Sequence, residues 1–319
     1  MKQIVGYLRD FVREDFNWRF YAFTAVFLTA AFWFNYSLKF KKVYLGARID
    51  EPMTILYYIL YYVVAYWIVF FVRAWMYRDT ALLRRASTWG ILLFIVVAMA
   101  LDNFSVNLPP VILDWFNTPQ ELQYWLIKCL ANLDRFIAIL SPLVFFRLIT
   151  QYYSGRKDES FYGLTTRGFN WRPYVYMLLI MLPLVVAASF SESFLRAYPR
   201  YHGGEAEAYL GVSRFVTYGV FETCYAIRFV SVEIYFRGFL ALGLMRWFGN
   251  AALMPMVTLY AFWHFGKPMG EALGSIFGAF ILGIIAMRSR SVLGGCFIHI
   301  GIAWMMDLTA YLQLYGLHF

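Results

Sequence analysis

The sequence predicts an all-α protein: a polytopic bundle of about eight or nine transmembrane helices, preceded by an amphipathic helix at the membrane interface. Of its 319 residues, 61% are hydrophobic, 21% are aromatic and only 15% are charged. Soluble domains carry about 25% charged residues. Apolar runs long enough to span a membrane recur along the chain. These runs do not show the short alternating segments of membrane β-barrels. The sequence therefore indicates a helical membrane protein.

The N-terminal segment, residues 1–17, alternates charged residues with bulky apolar ones. It has neither the apolar core nor the small-residue cleavage site of a signal peptide, and it is predicted to form an amphipathic interfacial helix. The formal net charge of +9 does not indicate nucleic-acid binding, because membrane proteins concentrate Lys and Arg in cytoplasmic loops. The expected environment is membrane lipid.

The apolar runs define about nine candidate spans. They cover residues 18–38, 53–75, 88–104, 122–149, 173–191, 211–245, 250–266, 271–287 and 291–313. Residues 18–210 are expected to form N-terminal transmembrane helices, to which the sequence assigns no role. Residues 211–313 are expected to form a core that carries the function.

Loop charges predict a multi-pass protein with its N-terminus inside, as in a bacterial inner membrane, although an endoplasmic-reticulum membrane obeys the same rule. Residues 101–127 contain no Lys or Arg and are assigned to the outside. One loop on the predicted outer side disagrees, because it carries the basic residues Lys39, Lys41, Lys42 and Arg48. Either the first span is not a simple crossing, or the rule fails there.

Ionisable residues inside membrane spans are candidates for function, and the last third of the chain contains Glu233, Arg237, His264, His299 and Asp307. Glu233 and Arg237 are four residues apart, so an ion pair on one helix face is the simplest structural interpretation. At 1.5 Å per residue, Glu233, His264 and His299 lie about 20, 21 and 12 Å from the nearest predicted cytoplasmic turns. A carboxylate and two imidazoles are therefore expected near the middle of the bilayer.

One Glu and two His suit hydrolysis. A buried Glu is a suitable general base for a water molecule, and two imidazoles either bind a metal ion that acidifies this water or stabilise the oxyanion. Chains of Glu and His also line ion and proton pathways. A transporter of this kind is expected to contain paired half-helices, and the sequence shows no such internal symmetry.

Three segments resemble the CPBP family (Abi, or CAAX protease and bacteriocin-processing) of intramembrane proteases: EIYFRG from Glu233, HFGKPMGE from His264 and HIGIAWMMD from His299. The family includes the CAAX prenyl endopeptidases of the Ras-converting type. Its motifs are EExxxR, FxxxH and HxxxN, on separate membrane helices. The resemblance covers roughly residues 211–313.

The resemblance assigns Glu233 and Arg237 to the first motif, His264 to the second with Tyr260 at the Phe position, and His299 to the third. It implies an intramembrane endopeptidase in which Glu233, His264 and His299 activate water to cut a membrane-associated peptide or protein. The same three residues are the expected ligands of a divalent metal such as zinc. Arg237 and Tyr260 are implied as supporting residues, with Arg237 holding Glu233.

Two positions depart from the family pattern, because Val232 replaces the first Glu and Ala303 replaces the Asn. In one interpretation Glu233 is the base of a single-Glu branch, and Asp307, two helical turns beyond His299, supplies the missing polar partner. The alternative is a catalytically silent scaffold that keeps the fold and binds a membrane partner.

Glu222 lies 11 residues before Glu233, on nearly the same helix stripe. At 100° per residue the two positions differ by only about 20°. Glu222 therefore either lines the same cavity as Glu233 or faces water at the outer end of the span.

Overall fold

The structure, a computed structural model, describes residues 2–48, 51, 53–104, 108–154 and 160–316. Within these ranges the regular secondary structure is helical, apart from an isolated β-bridge between Phe161 and Leu164. The predicted all-α class is thereby confirmed.

The α-helices are numbered α1 to α14 in chain order. They comprise Lys2–Asp15, Trp18–Leu38, Thr54–Met76, Ala86–Phe104, Leu108–Trp115, Gln120–Ser154, Arg172–Ala188, Glu192–Leu195, Ala206–Leu210, Arg214–Glu233, Met245–Phe248, Leu253–His264, Met269–Ser289 and Leu293–Tyr315. Two π-helices, π1 (Lys41–Leu45) and π2 (Ile234–Gly243), interrupt the α-helical pattern.

Among the described residues, five helices are long and apolar enough to cross a membrane: α3, α4, α6, α13 and α14. Helix α7 is apolar but shorter. The chain is therefore a polytopic integral membrane protein. Each predicted span contains a helix, but the span expected at residues 250–266 is shorter than predicted. Its helix, α12, has 12 residues, or about 18 Å against a hydrocarbon core of about 30 Å.

The chain divides into two compact units. The first contains residues 1–104, 149–169 and 234–295, and the second contains residues 105–148, 170–233 and 296–319. The expectation that residues 211–313 form a catalytic core of their own stays a prediction.

Helix α12 is the central element of the first unit. All of its residues are buried, and it packs against α3 and α13. The Thr258 hydroxyl donates to the Ala65 carbonyl oxygen of α3 at 2.8 Å. A helix that is apolar on every side belongs in the interior of a protein or in a membrane, which explains why residues 250–266 resemble a full span.

Helix α1 packs against the rest of the first unit. Its Phe11 side chain is buried and meets Phe280 of α13 edge to face, with ring centroids 6.1 Å apart. At its end, Asp15 accepts a hydrogen bond from Arg73 Nη2 of α3 at 2.7 Å. The sequence predicted the helix, but its apolar side is buried partly by the protein itself and not by lipid alone.

Lys41, one of the basic residues that conflicted with the charge rule, has a local structural role. Its Nζ donates to the carbonyl oxygens of Phe262 at 3.2 Å and Trp263 at 2.5 Å, at the C-terminal end of α12. The Tyr61 hydroxyl donates to the same Phe262 oxygen at 2.9 Å. A cation is stabilising there because the last carbonyls of a helix carry partial negative charge. The position of Lys41 therefore carries little information about membrane orientation.

Replacing Lys41 by Ala is expected to destabilise the protein by about 1–2 kcal/mol, because the end of α12 loses its cation and two donors. The neighbouring Lys42 is exposed, so Lys42→Ala is the matched control and should change little. Thermal unfolding of both variants in detergent measures the difference. Equal melting temperatures for the two variants would contradict this role.

The second unit contains an aromatic cluster between its helices. Its buried members are Cys129, Tyr201, Phe221, Cys224, Tyr225, Phe229 and Ala303. Ala303, which stands where the CPBP pattern has Asn, is therefore surrounded by apolar and aromatic side chains. Because an unpartnered amide in such surroundings would lose its hydrogen bonds to water, the Ala suits this environment.

Candidate active site

Glu233 lies at a change of backbone geometry. It is the last residue of α10, and π2 begins at the next residue. The Glu233 side chain has no solvent exposure. π-Helical segments are rare, are mostly single turns, and occur frequently at functional sites, whereas π2 has 10 residues. The sequence predicts α-helical winding here, and the structure differs.

Two glycines let π2 pack closely against the segment that contains Tyr162. A Cβ atom at Gly238 would lie 2.5 Å from the Tyr162 carbonyl oxygen, and one at Gly243 would lie 3.0 Å from Tyr162 Cδ1. The first distance involves backbone, which does not move aside easily. Only glycine is accommodated at Gly238 without a shift of one of the two segments.

In the second unit, Glu233 and His299 form a hydrogen-bonded pair. His299 Nδ1, on α14, lies 2.9 Å from Glu233 Oε1. The Phe229 ring lies against the imidazole, with centroids 4.2 Å apart. An ionised carboxylate only accepts hydrogen bonds, so with Glu233 ionised Nδ1 carries the proton and Nε2 keeps its lone pair. His299 is the more accessible partner, with 14% of its side chain exposed against 0% for Glu233.

In the first unit, Arg237, Tyr260 and His264 form a stacked group. The Arg237 guanidinium lies 4.2 Å from the centre of the Tyr260 ring, and the His264 ring centroid lies 4.3 Å from that of Tyr260. His264 Nδ1 is 2.9 Å from the Tyr260 carbonyl oxygen. Because a carbonyl only accepts, Nδ1 is the donor, and in the neutral ring Nε2 is the nitrogen that binds a proton or a metal.

The candidate residues thus occur as Glu233 with His299, and as Arg237 with Tyr260 and His264. His264 is the last residue of α12, not a position inside a full span. That Arg237 holds Glu233, and that His264 works with the other two candidates, stay predictions.

The structure places Asp307 among other polar groups of the second unit. Asp307 Oδ1 accepts a hydrogen bond from the Arg200 backbone amide at 3.0 Å, and its carboxyl group interacts electrostatically with Glu222 of α10. Along α14, Asp307 is eight residues, or about 12 Å, beyond His299. Its proposed replacement of the motif Asn stays a prediction.

Asp102, which no sequence motif singles out, is a polar residue beside the candidate group of the first unit. It is buried in α4, and its Oδ2 accepts a hydrogen bond from Trp263 Nε1 at 3.2 Å. Trp263 directly precedes His264. The signal in the sequence is an acidic residue at the end of an apolar span, within residues 101–127, which are assigned to the outside.

The described residues provide only part of a ligand set for the expected divalent metal. Glu233 and His299 supply two donor groups in contact. Across the described part of the chain, no group of three or more His, Cys, Asp and Glu side chains is arranged to hold a metal ion. Catalytic zinc sites usually have three protein ligands. No step of the mechanism below is therefore assigned to a metal.

A comparison with protein families places these residues in a known group. Residues 220–305 match the family model described as type II CAAX prenyl endopeptidase Rce1-like, a range that includes Glu233, Arg237, His264 and His299. No curated protein and no solved structure gives a significant match. Over residues 220–305 the chain is therefore similar to the CAAX protease family of membrane endopeptidases.

Proposed function

We propose that the protein hydrolyses a peptide bond in a membrane-associated peptide or protein, with Glu233 and His299 acting together as the general base. The hydrogen bond of 2.9 Å between them carries the proposal. It joins a buried carboxylate to a partly accessible imidazole. A base oriented by a second hydrogen-bonded group is the arrangement that activates nucleophiles in many hydrolases.

In the proposed reaction, Nε2 of His299 takes a proton from a water molecule, and the hydroxide attacks the scissile carbonyl carbon. Glu233, bonded to Nδ1–H, fixes the orientation of the ring and stabilises the imidazolium that forms. The proton then passes to the nitrogen of the leaving amine as the carbon–nitrogen bond breaks. The products are a carboxylic acid and an amine, and the pair returns to its starting state.

His264 is proposed to position the attacking water or a metal, on the strength of its matched motif. With Nδ1–H held by the Tyr260 carbonyl, neutral His264 presents an acceptor at Nε2. Such a ring orients a water molecule by accepting its hydrogen. It stabilises an oxyanion only when protonated, because only then does Nε2 carry a hydrogen.

A bound divalent metal such as zinc stays a prediction. Metal content per purified chain is the measurement that decides it, with the Glu233→Gln and His264→Ala variants as comparisons. Zinc at one ion per chain that falls in both variants would confirm the predicted ligands. Activity that persists without metal after chelation would contradict a catalytic role for the ion.

The proposed function is tested with the full chain, purified and reconstituted in liposomes with a farnesylated CAAX peptide as the probe. Release of the C-terminal peptide, identified by mass spectrometry, is the expected result. Binding of the probe without cleavage would favour the silent scaffold. The bacterial inner membrane and an N-terminus on its inner side stay predictions.

A further inference from the structure

Glu222 of α10 and Asp307 of α14 form a second pair of ionisable groups in the second unit. Asp307 is only 5% exposed. Its Oδ2 and the Oε2 atom of Glu222 are both buried, and neither receives a hydrogen bond from a donor. The two residues face one another, because Tyr218 of α10 and Tyr311 of α14, each one helical turn away, have ring centroids 5.6 Å apart, and the two carboxyl groups interact electrostatically.

Two ionised carboxylates cannot satisfy these oxygens, because each only accepts hydrogen bonds. Two neighbouring negative charges in the protein interior also repel each other strongly, which favours retention of a proton by one of the carboxyl groups. A single proton between the two groups removes the repulsion. It also supplies the one donor that both unpartnered oxygens lack.

The surroundings indicate which carboxyl group carries the proton. Asp307 accepts from the Arg200 backbone amide at 3.0 Å. The charged groups that face it are Arg200, from the connection before α9, and Lys128, from α6. These groups stabilise a negative charge on Asp307. The electrostatic neighbour of Glu222 is Asp307 itself, and an adjacent negative charge favours the protonated form of Glu222.

We propose that Glu222 and Asp307 bind one proton between them, carried by Glu222 and donated to Asp307. The site is a proton-binding carboxyl pair that joins α10 to α14. The same two helices carry Glu233 and His299. The proposal does not depend on peptide hydrolysis, and its test requires no substrate.

Glu207, in the same unit, shows the opposite arrangement and provides a matched control. Its carboxylate accepts hydrogen bonds from the Tyr201 hydroxyl at 3.0 Å, the Gly204 amide at 3.0 Å and the Thr217 hydroxyl at 2.5 Å. Burial favours a higher pKa, but these donors outweigh it and hold the pKa of Glu207 below its ordinary value. Glu207 is therefore ionised where Glu222 is protonated.

The first measurement is the infrared spectrum of the full chain in detergent at neutral pH. A protonated carboxylic acid has its own C=O band, distinct from that of a carboxylate. This band should appear in the difference between wild type and Glu222→Gln, and not in the difference between wild type and Glu207→Gln. Absence of the band from the Glu222→Gln difference would overturn the proposal.

The second measurement is the melting temperature as a function of pH. In wild type the melting temperature should fall as alkaline pH removes the proton and leaves two adjacent negative charges. In Glu222→Gln the fall should be smaller, since the carboxamide donates to Asp307 without titrating. Glu222→Ala should melt lower than Glu222→Gln at every pH, because Ala has no donor for the Asp307 carboxylate. A Glu222→Gln variant that fails to fold, or that keeps the alkaline fall of wild type, would contradict a proton on Glu222.

Discussion

The Glu233→Gln variant is expected to lose peptide hydrolysis by a factor of about 10²–10⁴, the range that general acid–base catalysis contributes. The amide side chain keeps the size of Glu233 and still accepts a hydrogen bond from His299 Nδ1–H, so the fold should persist. It carries no negative charge, however, and cannot stabilise the imidazolium that forms when His299 takes a proton. Initial rates on the farnesylated CAAX peptide measure the loss.

The controls for this variant separate chemistry from folding. Glu192→Gln changes an exposed glutamate with 86% of its side chain accessible, and it should leave the rate unchanged. His299→Ala should lose at least as much activity as Glu233→Gln, because it removes the proton acceptor itself. Wild-type rates in Glu233→Gln, at an equal melting temperature, would show that the pair is structural.

The sequence reveals the candidate residues of this site more clearly than the backbone that presents them. Glu233 and His299 are recognisable because ionisable groups are costly in apolar spans. The π-helix after Glu233 is not recognisable, because a uniformly apolar run fits either helical winding. The signal in the sequence is Gly238. Why this position needs a glycine follows only from the structure, in which the Tyr162 backbone packs against it.

Helix α12 is shorter than its apolar run predicts. A membrane span and a short helix buried on every side both appear as continuous apolar runs. The run at residues 250–266 therefore predicted a full span and placed His264 inside it. Where the helix ends depends on partners distant in sequence, since Lys41 and Tyr61 bind the carbonyl oxygens at its C-terminal end. One sequence does not reveal such pairings.

The structure explains one departure from the family pattern, the Ala at position 303. Ala303 lies among aromatic and apolar side chains near Phe229, and Phe229 packs on the His299 ring. An Asn at this position would bring an amide into this hydrophobic cluster, which is costly unless the amide is hydrogen-bonded. Ala303, which replaces the motif Asn, is therefore compatible with its hydrophobic surroundings. The Glu233–His299 hydrogen bond is present beside it.

The buried ion pair between Asp15 and Arg73 is expected to give the largest effect on stability. The atoms Arg73 Nη2 and Asp15 Oδ1 are 2.7 Å apart, and the two side chains are only 9% and 4% exposed. Replacing Arg73 by Met leaves an uncompensated buried carboxylate. Breaking a buried pair in this way costs about 3–5 kcal/mol. Unfolding of the variant in detergent measures the change.

The pH dependence of this stability should follow from the titration of the Asp15 carboxyl group. Burial raises the pKa of Asp15 above its ordinary value, although Arg73 opposes this shift. A raised pKa means that the folded chain binds the proton more tightly than the unfolded chain. The contribution of Asp15 to stability is therefore largest below the unfolded pKa, and it is lost as pH rises through the folded pKa. Without Arg73 the folded pKa rises further, so Arg73→Met should lose more stability between acidic and neutral pH than wild type.

The double variant Asp15→Asn/Arg73→Met separates the cost of the stranded charge from the value of the pair. It should regain most of the lost stability, because replacing both partners of a buried ion pair is often nearly neutral. Arg196→Met, which breaks the exposed pair with Glu192 at 3.1 Å, should have little effect, since surface pairs contribute little. A double variant as unstable as Arg73→Met would show that the arginine acts through its packing on Tyr77, 3.1 Å from its guanidinium, and not through charge.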